Sequence, residues 1–311
     1  MAPELPDTPE IQARLAYLRQ LEAEEEATRE AINTGRLAEE RRLARARRDF
    51  RAFVEYVIKD EETGEKITLH EVHKQWIDHI DYCWGHGLHP CIQASFGHGK
   101  SCLLSVALPL FVIGRNQKIR IKIVSASDDI AMKRLGAVRS YIESDPDYHE
   151  VFPAVAPSKT QDWTKHQVSV MRPTMPKDPT LEAKGISSTS MGSRSDLIIF
   201  DDVNDRKNTI EQPKVRERVW GNFRSVYMSR LEPNARVVTV ATRWHEDDVI
   251  GSLLKDAKMR AKWGFLVQRI NEDITGIDCE FYYGDRAGRS HEVGALDRLF
   301  QMWDDGKLDG V

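Results

Sequence analysis

Residues 94–101 read Ala-Ser-Phe-Gly-His-Gly-Lys-Ser. The spacing is that of a phosphate-cradling loop, GxxxxGK[ST], with Ala94 where the first glycine usually stands. Gly97 and Gly99 let the backbone curl so that its N–H groups face a phosphate chain. The start of the following helix adds the positive end of its dipole. Lys100 can reach the β- and γ-phosphates, and the Ser101 hydroxyl can bind Mg²⁺. Ala94, Gly97, His98, Gly99, Lys100 and Ser101 are therefore the expected contacts for ATP and its cation.

A second constellation is Leu197-Ile198-Ile199-Phe200-Asp201-Asp202. Four apolar residues followed by two carboxylates read as a buried strand delivering acid at its C-terminal edge, where open α/β sheets bind ligands. Asp201 is placed to hold Mg²⁺, and Asp202 to polarise the water that attacks the γ-phosphate. A third strand, Arg236–Ala241, ends in Thr242, whose hydroxyl can sense the γ-phosphate through that water. His245, Glu246, Asp247 and Asp248 follow. Their spacing is not HExxH, and acidic residues at a helix start already favour its dipole.

The elements that must carry these residues alternate. Apolar runs at Cys91–Ala94, Ile119–Ser125, Gln167–Met171, Leu197–Asp201, Arg236–Ala241 and Phe265–Arg269 read as strands. Helices are expected at His70–Trp84, Lys100–Ile113, Asp128–Ser144, Pro213–Ser229 and Asp247–Ala257, with a buried helix opening near Phe50. The pattern predicts an α/β fold with a mostly parallel sheet flanked by helices. Ahead of it, residues 9–48 are rich in Ala, Glu, Arg and Leu, acidic first and basic later, with one glycine, Gly35. This stretch reads as a solvated helical hairpin or arm, or as a docking or DNA-touching helix. The expected divisions are an N-terminal arm (1–49), a nucleotide-binding core (50–270) and a C-terminal lid or linker tail (271–311).

Composition narrows the class. With 41% hydrophobic and 30% charged residues among 311, the chain can bury a core, and no apolar run is long enough to span a bilayer. No secretory signal is visible at MAPELPDTPE. Cys83, Cys91, Cys102 and Cys279 form no CxxC pair and read as reduced thiols. Lys and Arg number 45 against 49 Asp and Glu, so any nucleic-acid contact must come from a local basic face.

In order, QASFGHGKS, GSRSDLIIFDDV and VATRWHEDDVIG resemble the ATPase domain of a tailed-phage terminase large subunit, a DNA-packaging motor, over roughly residues 50–270. The resemblance implies a P-loop NTPase core of the RecA-like, additional-strand type. It also implies a homo-oligomeric ring on a portal protein, translocation of double-stranded DNA into a procapsid, and a small terminase subunit as partner. The expected location is the host cytoplasm, transiently at the procapsid portal. Gln75, in HKQW, resembles the adenine-reading glutamine of such motors; the alternative is a surface glutamine. Arg194 resembles their arginine ahead of the acidic strand, acting on a neighbour's γ-phosphate; the alternative is an ion pair with Asp196 or Asp201. Ser125-Ala-Ser127 resembles a motif coupling the core to DNA.

Two departures stand out. Phe96 occupies the position where many of these motors carry a loop arginine, which leaves Arg194 or Arg243 to cover that role. The family's nuclease domain, which needs a cluster of metal-binding carboxylates, is not expected in the residues after 270, although Asp273, Asp278, Glu280 and Asp285 are acidic. The competing functions are a single-core helicase-like remodeller of nucleic acid and a non-hydrolysing nucleotide-binding assembly adaptor.

Overall fold

The computed structural model describes residues 9–174, 177–188, 193–270, 277–283 and 286–287. Asp273, Asp285 and the tail beyond 287 lie outside the described residues. The chain divides into two compact units, 1–45 and 46–311. The first is built on α1 (Pro9–Ala46), one helix that runs uninterrupted through Gly35, so the hairpin alternative for this stretch is not what forms. Its exposed face carries the pairs Arg36–Glu40 and Arg42–Glu39, both at 3.1 Å. Such i,i+4 and i,i+3 pairs each add a few tenths of a kcal/mol to a helix whose sequence already favours it.

The second unit opens with α2 (Phe50–Val57), capped by Asp49, whose carboxylate accepts from the N–H groups of Arg51 and Ala52. Next come α3 (Glu71–Gly85) and β1 (His89–Gln93). The loop at 94–101 feeds a π-helical segment, Cys102–Ala107, which continues as α4 (Leu108–Arg115). β2 (Ile121–Ser125) leads to α5 (Asp128–Ser144), whose N-cap is Ser127 and whose first turn holds Asp128 and Asp129. Then follow α6 (Pro146–Val151), β3 (Gln167–Val168), β4 (Leu181–Gly185) and β5 (Ser195–Asp201). After a second π-helical stretch, Lys207–Glu211, α7 (Pro213–Gly221) runs into a third, Asn222–Tyr227, before β6 (Leu231–Ala241). α8 (Val249–Lys255), α9 (Ala257–Arg260), β7 (Trp263–Ile270), β8 (Ile277–Tyr283) and β9 (Arg286–Ala287) complete the unit.

The strands form one sheet in the order β3-β4-β2-β5-β6-β1-β7-β8-β9. The pairs from β4 through β7 are parallel, while β3, β8 and β9 join antiparallel at the two edges. β6 lies between β1 and β5, so one strand separates the strand that feeds the phosphate loop from the acidic strand. Register places Gln93 beside Ala241 and Asp201 beside Val240, so the three strand tips finish at one edge. Helices cover both faces. Ile92, Ile198, Ile199, Val237, Val238 and Val240 are fully buried, each worth roughly 1.5–3 kcal/mol against exposure.

An aromatic cluster locks α2, α4 and α6 together. Phe53 lies 5.2 Å from Phe111 and 5.7 Å from Phe152, ring centre to centre. Gly114 admits the Phe152 ring so closely that an added Cβ would sit 2.2 Å from it. Among the expected strands, Gln167–Met171 shrinks to the two residues of β3. β4 was not expected, because its sequence, Leu-Glu-Ala-Lys-Gly, carries two charges. Both are buried and answered locally: Lys184 pairs with Glu182 at 2.9 Å, and Glu182 also accepts from the Ser193 hydroxyl at 2.5 Å.

Candidate nucleotide site

The loop between β1 and α4 turns where its glycines permit. Gly97 and Gly99 hold φ of 78° and 71°, a region open to glycine and costly for other residues. His98 is pinned on both sides. Its own Nδ1 donates to the Phe96 carbonyl at 2.9 Å, and its carbonyl accepts from Nε2 of His73, on α3, at 3.1 Å. Burial holds His73 below the ordinary imidazole value, so its ring stays neutral and anchors the loop as a simple donor.

Lys100 is 5% exposed and converges with two strand tips. Its Nζ donates to the Ala94 carbonyl at 2.8 Å and to the Thr242 hydroxyl at 2.6 Å, and lies 3.7 Å from Asp202. The Thr242 hydroxyl in turn donates to the Ala94 carbonyl at 3.2 Å. Asp202 adopts φ of 45°, an uncommon conformation that short polar side chains tolerate best. This turn at the tip of β5 lets its carboxylate accept from the Thr242 backbone N–H at 2.8 Å. Burial raises Asp202 above the usual carboxylate range and lowers Lys100 below the usual ammonium range. The mutual attraction of the two charges opposes both shifts.

Asp201 is fully buried. One carboxylate oxygen accepts from the Ser101 hydroxyl at 3.1 Å, and the other from Nε of Arg134, on α5, at 3.0 Å. A buried charge needs such partners. The serine hydroxyl and the carboxylate are hard oxygen donors within hydrogen-bond reach of one another. Such a pair suits Mg²⁺, which binds few protein ligands when it also binds phosphates. Among the described residues, no group of three or more His, Cys, Asp and Glu side chains is gathered for a metal.

A cavity of about 1250 Å³ opens over the loop. Gln75, Gly97, His98, Gly99, Lys100, Ser101, Arg134 and Asp202 all contribute to its wall. Acidic residues 60–62, the segment 65–69 and His73 also line it. Phe96 stands 61% exposed at the mouth, edge-on to Trp244 at 5.7 Å and 5.2 Å from the Lys100 ammonium.

Two expected arginines lie elsewhere. Arg194 precedes β5 at the opposite end of the sheet, 72% exposed, with Glu232 as its partner at 3.4 Å. Pairing with Asp196 or Asp201 does not occur: Asp196 is held by Arg120 at 2.7 Å and Asp201 by Arg134. Arg243 is bound to Asp248 at 3.0 Å and to the His245 carbonyl at 3.1 Å. Asp248 also caps α8, accepting from Gly251 N–H at 2.9 Å. Ser127 caps α5 and so fixes the turn after β2. Arg134 was the residue the sequence did not suggest. Its one signal is position, on the helix that follows a strand ending at the ligand edge.

The strand order, with one strand between the loop strand and the acidic strand, and the loop at the sheet's C-terminal edge define a P-loop NTPase fold of the RecA-like, additional-strand type. No family model matches the chain. It is similar to the terminase large subunit of Enterobacteria phage T3, at 28% identity over 199 residues. The match takes in 63% of this chain and 32% of the relative, so the chain spans about a third of that relative's length. Among solved structures, the HK97 bacteriophage large terminase is similar at a TM-score of 0.49 and 16% identity, over 74% of this chain and 45% of that one. The S. cerevisiae protein dbp5, in a complex with nup159, gle1, IP6 and ADP, gives 0.41 and 10% identity, over 66% and 49%. A DEAD box protein from the hyperthermophile Methanococcus jannaschii gives 0.33 and 9%, over 61% and 52%.

Proposed function

We propose that the chain is an ATP-hydrolysing motor of a viral terminase large subunit, driving double-stranded DNA into a procapsid. The observation that carries the reading is the meeting of Lys100, Thr242 and Asp202 at three adjacent strand tips, beside the Ser101–Asp201 pair, in one cavity. In this reading residues 50–270 are the ATPase core, 1–49 an arm and 271–311 a lid or linker. Lys100 binds the terminal phosphates as a buried cation whose position is fixed by Ala94 and Thr242. The loop N–H groups at Gly97, His98 and Gly99 hold the phosphate chain. Gln75 faces the base, where an amide can match both the donor and the acceptor edge of adenine. Ser101 and Asp201 would hold Mg²⁺, which supplies charge neutralisation along the phosphates.

Asp202 orients and polarises the attacking water. Burial raises its proton affinity, which makes it a better base than an exposed aspartate. Thr242 touches both Lys100 and the Asp202 carboxylate, so it reports the state of the phosphates to the segment 243–248. Arg194, exposed at the far end of β5, cannot serve its own nucleotide and is presented to a neighbouring subunit, which requires a ring. The portal protein and a small terminase subunit are the proposed partners, and the host cytoplasm the site of action. The helicase-like and adaptor alternatives gain no observation of their own.

The test is phosphate release from MgATP over a protein titration, with and without linear duplex DNA. The reading expects turnover per chain to rise with protein concentration and with DNA. Turnover indifferent to both would overturn the motor, and nucleotide binding without turnover would point to the adaptor.

A further inference from the structure

The nucleotide reading leaves a shortage of positive charge. A triphosphate carries about four negative charges, and Asp201 and Asp202 stand beside it. Among the cations that line the cavity, Lys66 is engaged outward with Asp147 at 3.0 Å, which leaves Lys100 and Arg134 next to the phosphate loop. The loop itself has Phe96 where an arginine would help. Arg243 is committed to Asp248 and Arg194 lies at the other end of the sheet.

Arg134 is placed to supply the charge. Its side chain is 32% exposed while its partner Asp201 is fully buried. Only Nε is used, in the contact with Asp201 at 3.0 Å, and among the described residues neither terminal nitrogen has an acceptor. A guanidinium offers five donors in a planar fork suited to phosphate oxygens. Four of those donors are available on a residue that lines the cavity beside Lys100, Ser101 and Asp202. The contact it does make is with the carboxylate best suited to a divalent cation, so it competes with that cation for Asp201.

We propose that Arg134 is the cis arginine of this site: it neutralises Asp201 while the cavity is empty and pairs with the terminal phosphate when a triphosphate is bound. The inference rests on the nucleotide reading and adds to it a residue that distinguishes triphosphate from diphosphate within one subunit. Were Asp201 to hold the cation that accompanies the nucleotide, Arg134 would give up that carboxylate, and its guanidinium would be free to pair with γ-phosphate oxygens. With a diphosphate bound, this last acceptor is absent. Arg134 is thereby a link between the state of the nucleotide and α5, whose N-terminus packs against β4 through the Asp128 contact with Gly185 N–H at 2.8 Å.

The test is calorimetric binding of Mg–AMPPNP and Mg–ADP to the full chain and to its Arg134→Gln and Arg134→Lys variants. The glutamine variant should lose about tenfold or more in affinity for AMPPNP, the worth of a charge-assisted contact, and less than threefold for ADP. The lysine variant keeps a cation against Asp201, and with it the fold. It should still lose affinity for AMPPNP, and not for ADP, because an ammonium lacks the fork. Equal losses for both nucleotides, or an unchanged ratio in both variants, would leave Arg134 as a structural partner of Asp201 and overturn the proposal alone. A wild-type chain that binds neither nucleotide would overturn the nucleotide reading and this proposal with it.

Discussion

Thr242→Val is the sharpest probe of how the strand tips work together, because it removes one hydroxyl and keeps the shape. That hydroxyl accepts from Lys100 at 2.6 Å and donates to the Ala94 carbonyl at 3.2 Å. After the change, the Ala94 carbonyl still has Lys100 at 2.8 Å, and the Thr242 backbone N–H still reaches Asp202. Two hydrogen bonds are therefore lost, and the costlier is the one to a buried cation, about 2 kcal/mol. For a chain of this size that lowers the melting temperature by roughly 3 °C. Lys100 also loses the contact that fixes its lateral position over the loop. A shift of that kind costs about 10–100-fold in kcat, with KM within about threefold, since the ammonium still reaches the phosphates. Differential scanning calorimetry and steady-state phosphate release measure both. Thr242→Ser keeps the hydroxyl and should recover most of each. A valine variant that melts and turns over like the wild type would refute the reasoning, and so would a serine variant as impaired as the valine.

Asp202→Asn should leave MgATP binding within a few-fold of normal and abolish turnover, whereas Asp201→Asn should also weaken the dependence of binding on Mg²⁺; equal loss of binding in both would remove the base assignment. Arg194→Ala should leave stability unchanged within about 0.5 kcal/mol, since its ion pair is exposed. Mixed with Lys100→Ala chains, it should regain part of the activity that each lacks alone, and a mixture that assembles yet stays inactive would exclude a trans role. Gly114→Ala should cost about 1–3 kcal/mol through overpacking against Phe152, read by urea denaturation, and a neutral effect would mean that the aromatic cluster yields easily. Burial pulls Lys122 down to about 8 from 10.5, with Glu182 opposing the shift. Between those pH values the unfolded chain holds a proton that the folded chain has lost. Stability from this group therefore rises with pH across that window. Lys122→Met should remove that rise.

The parts of the site that were legible in the sequence are those where chemistry and secondary structure share one short segment. A strand, two glycines and Lys-Ser announce the loop, and four apolar residues before Asp201 and Asp202 announce a buried strand with an acidic tip. The structure brings Thr242 to Lys100 because β6 is inserted between β1 and β5, a placement that order along the chain suggests and only pairing settles. β4 escaped because two charges in five residues resemble a surface segment, whereas Glu182 and Lys184 pair with each other inside the fold. Arg134 escaped because a lone arginine on an amphipathic helix carries no local mark; its meaning comes from a carboxylate on a strand distant in sequence. The partner of Arg194, Glu232, was equally hidden, since the contact spans two strands at the end of the sheet opposite the loop.

ATP hydrolysis at these residues is read by phosphate release from MgATP, comparing the full chain with its Lys100→Ala variant, purified identically. Steady release is expected from the wild type and none above background from the variant. Equal release by both, or none by a wild-type chain that is folded and supplied with linear duplex DNA, would contradict it.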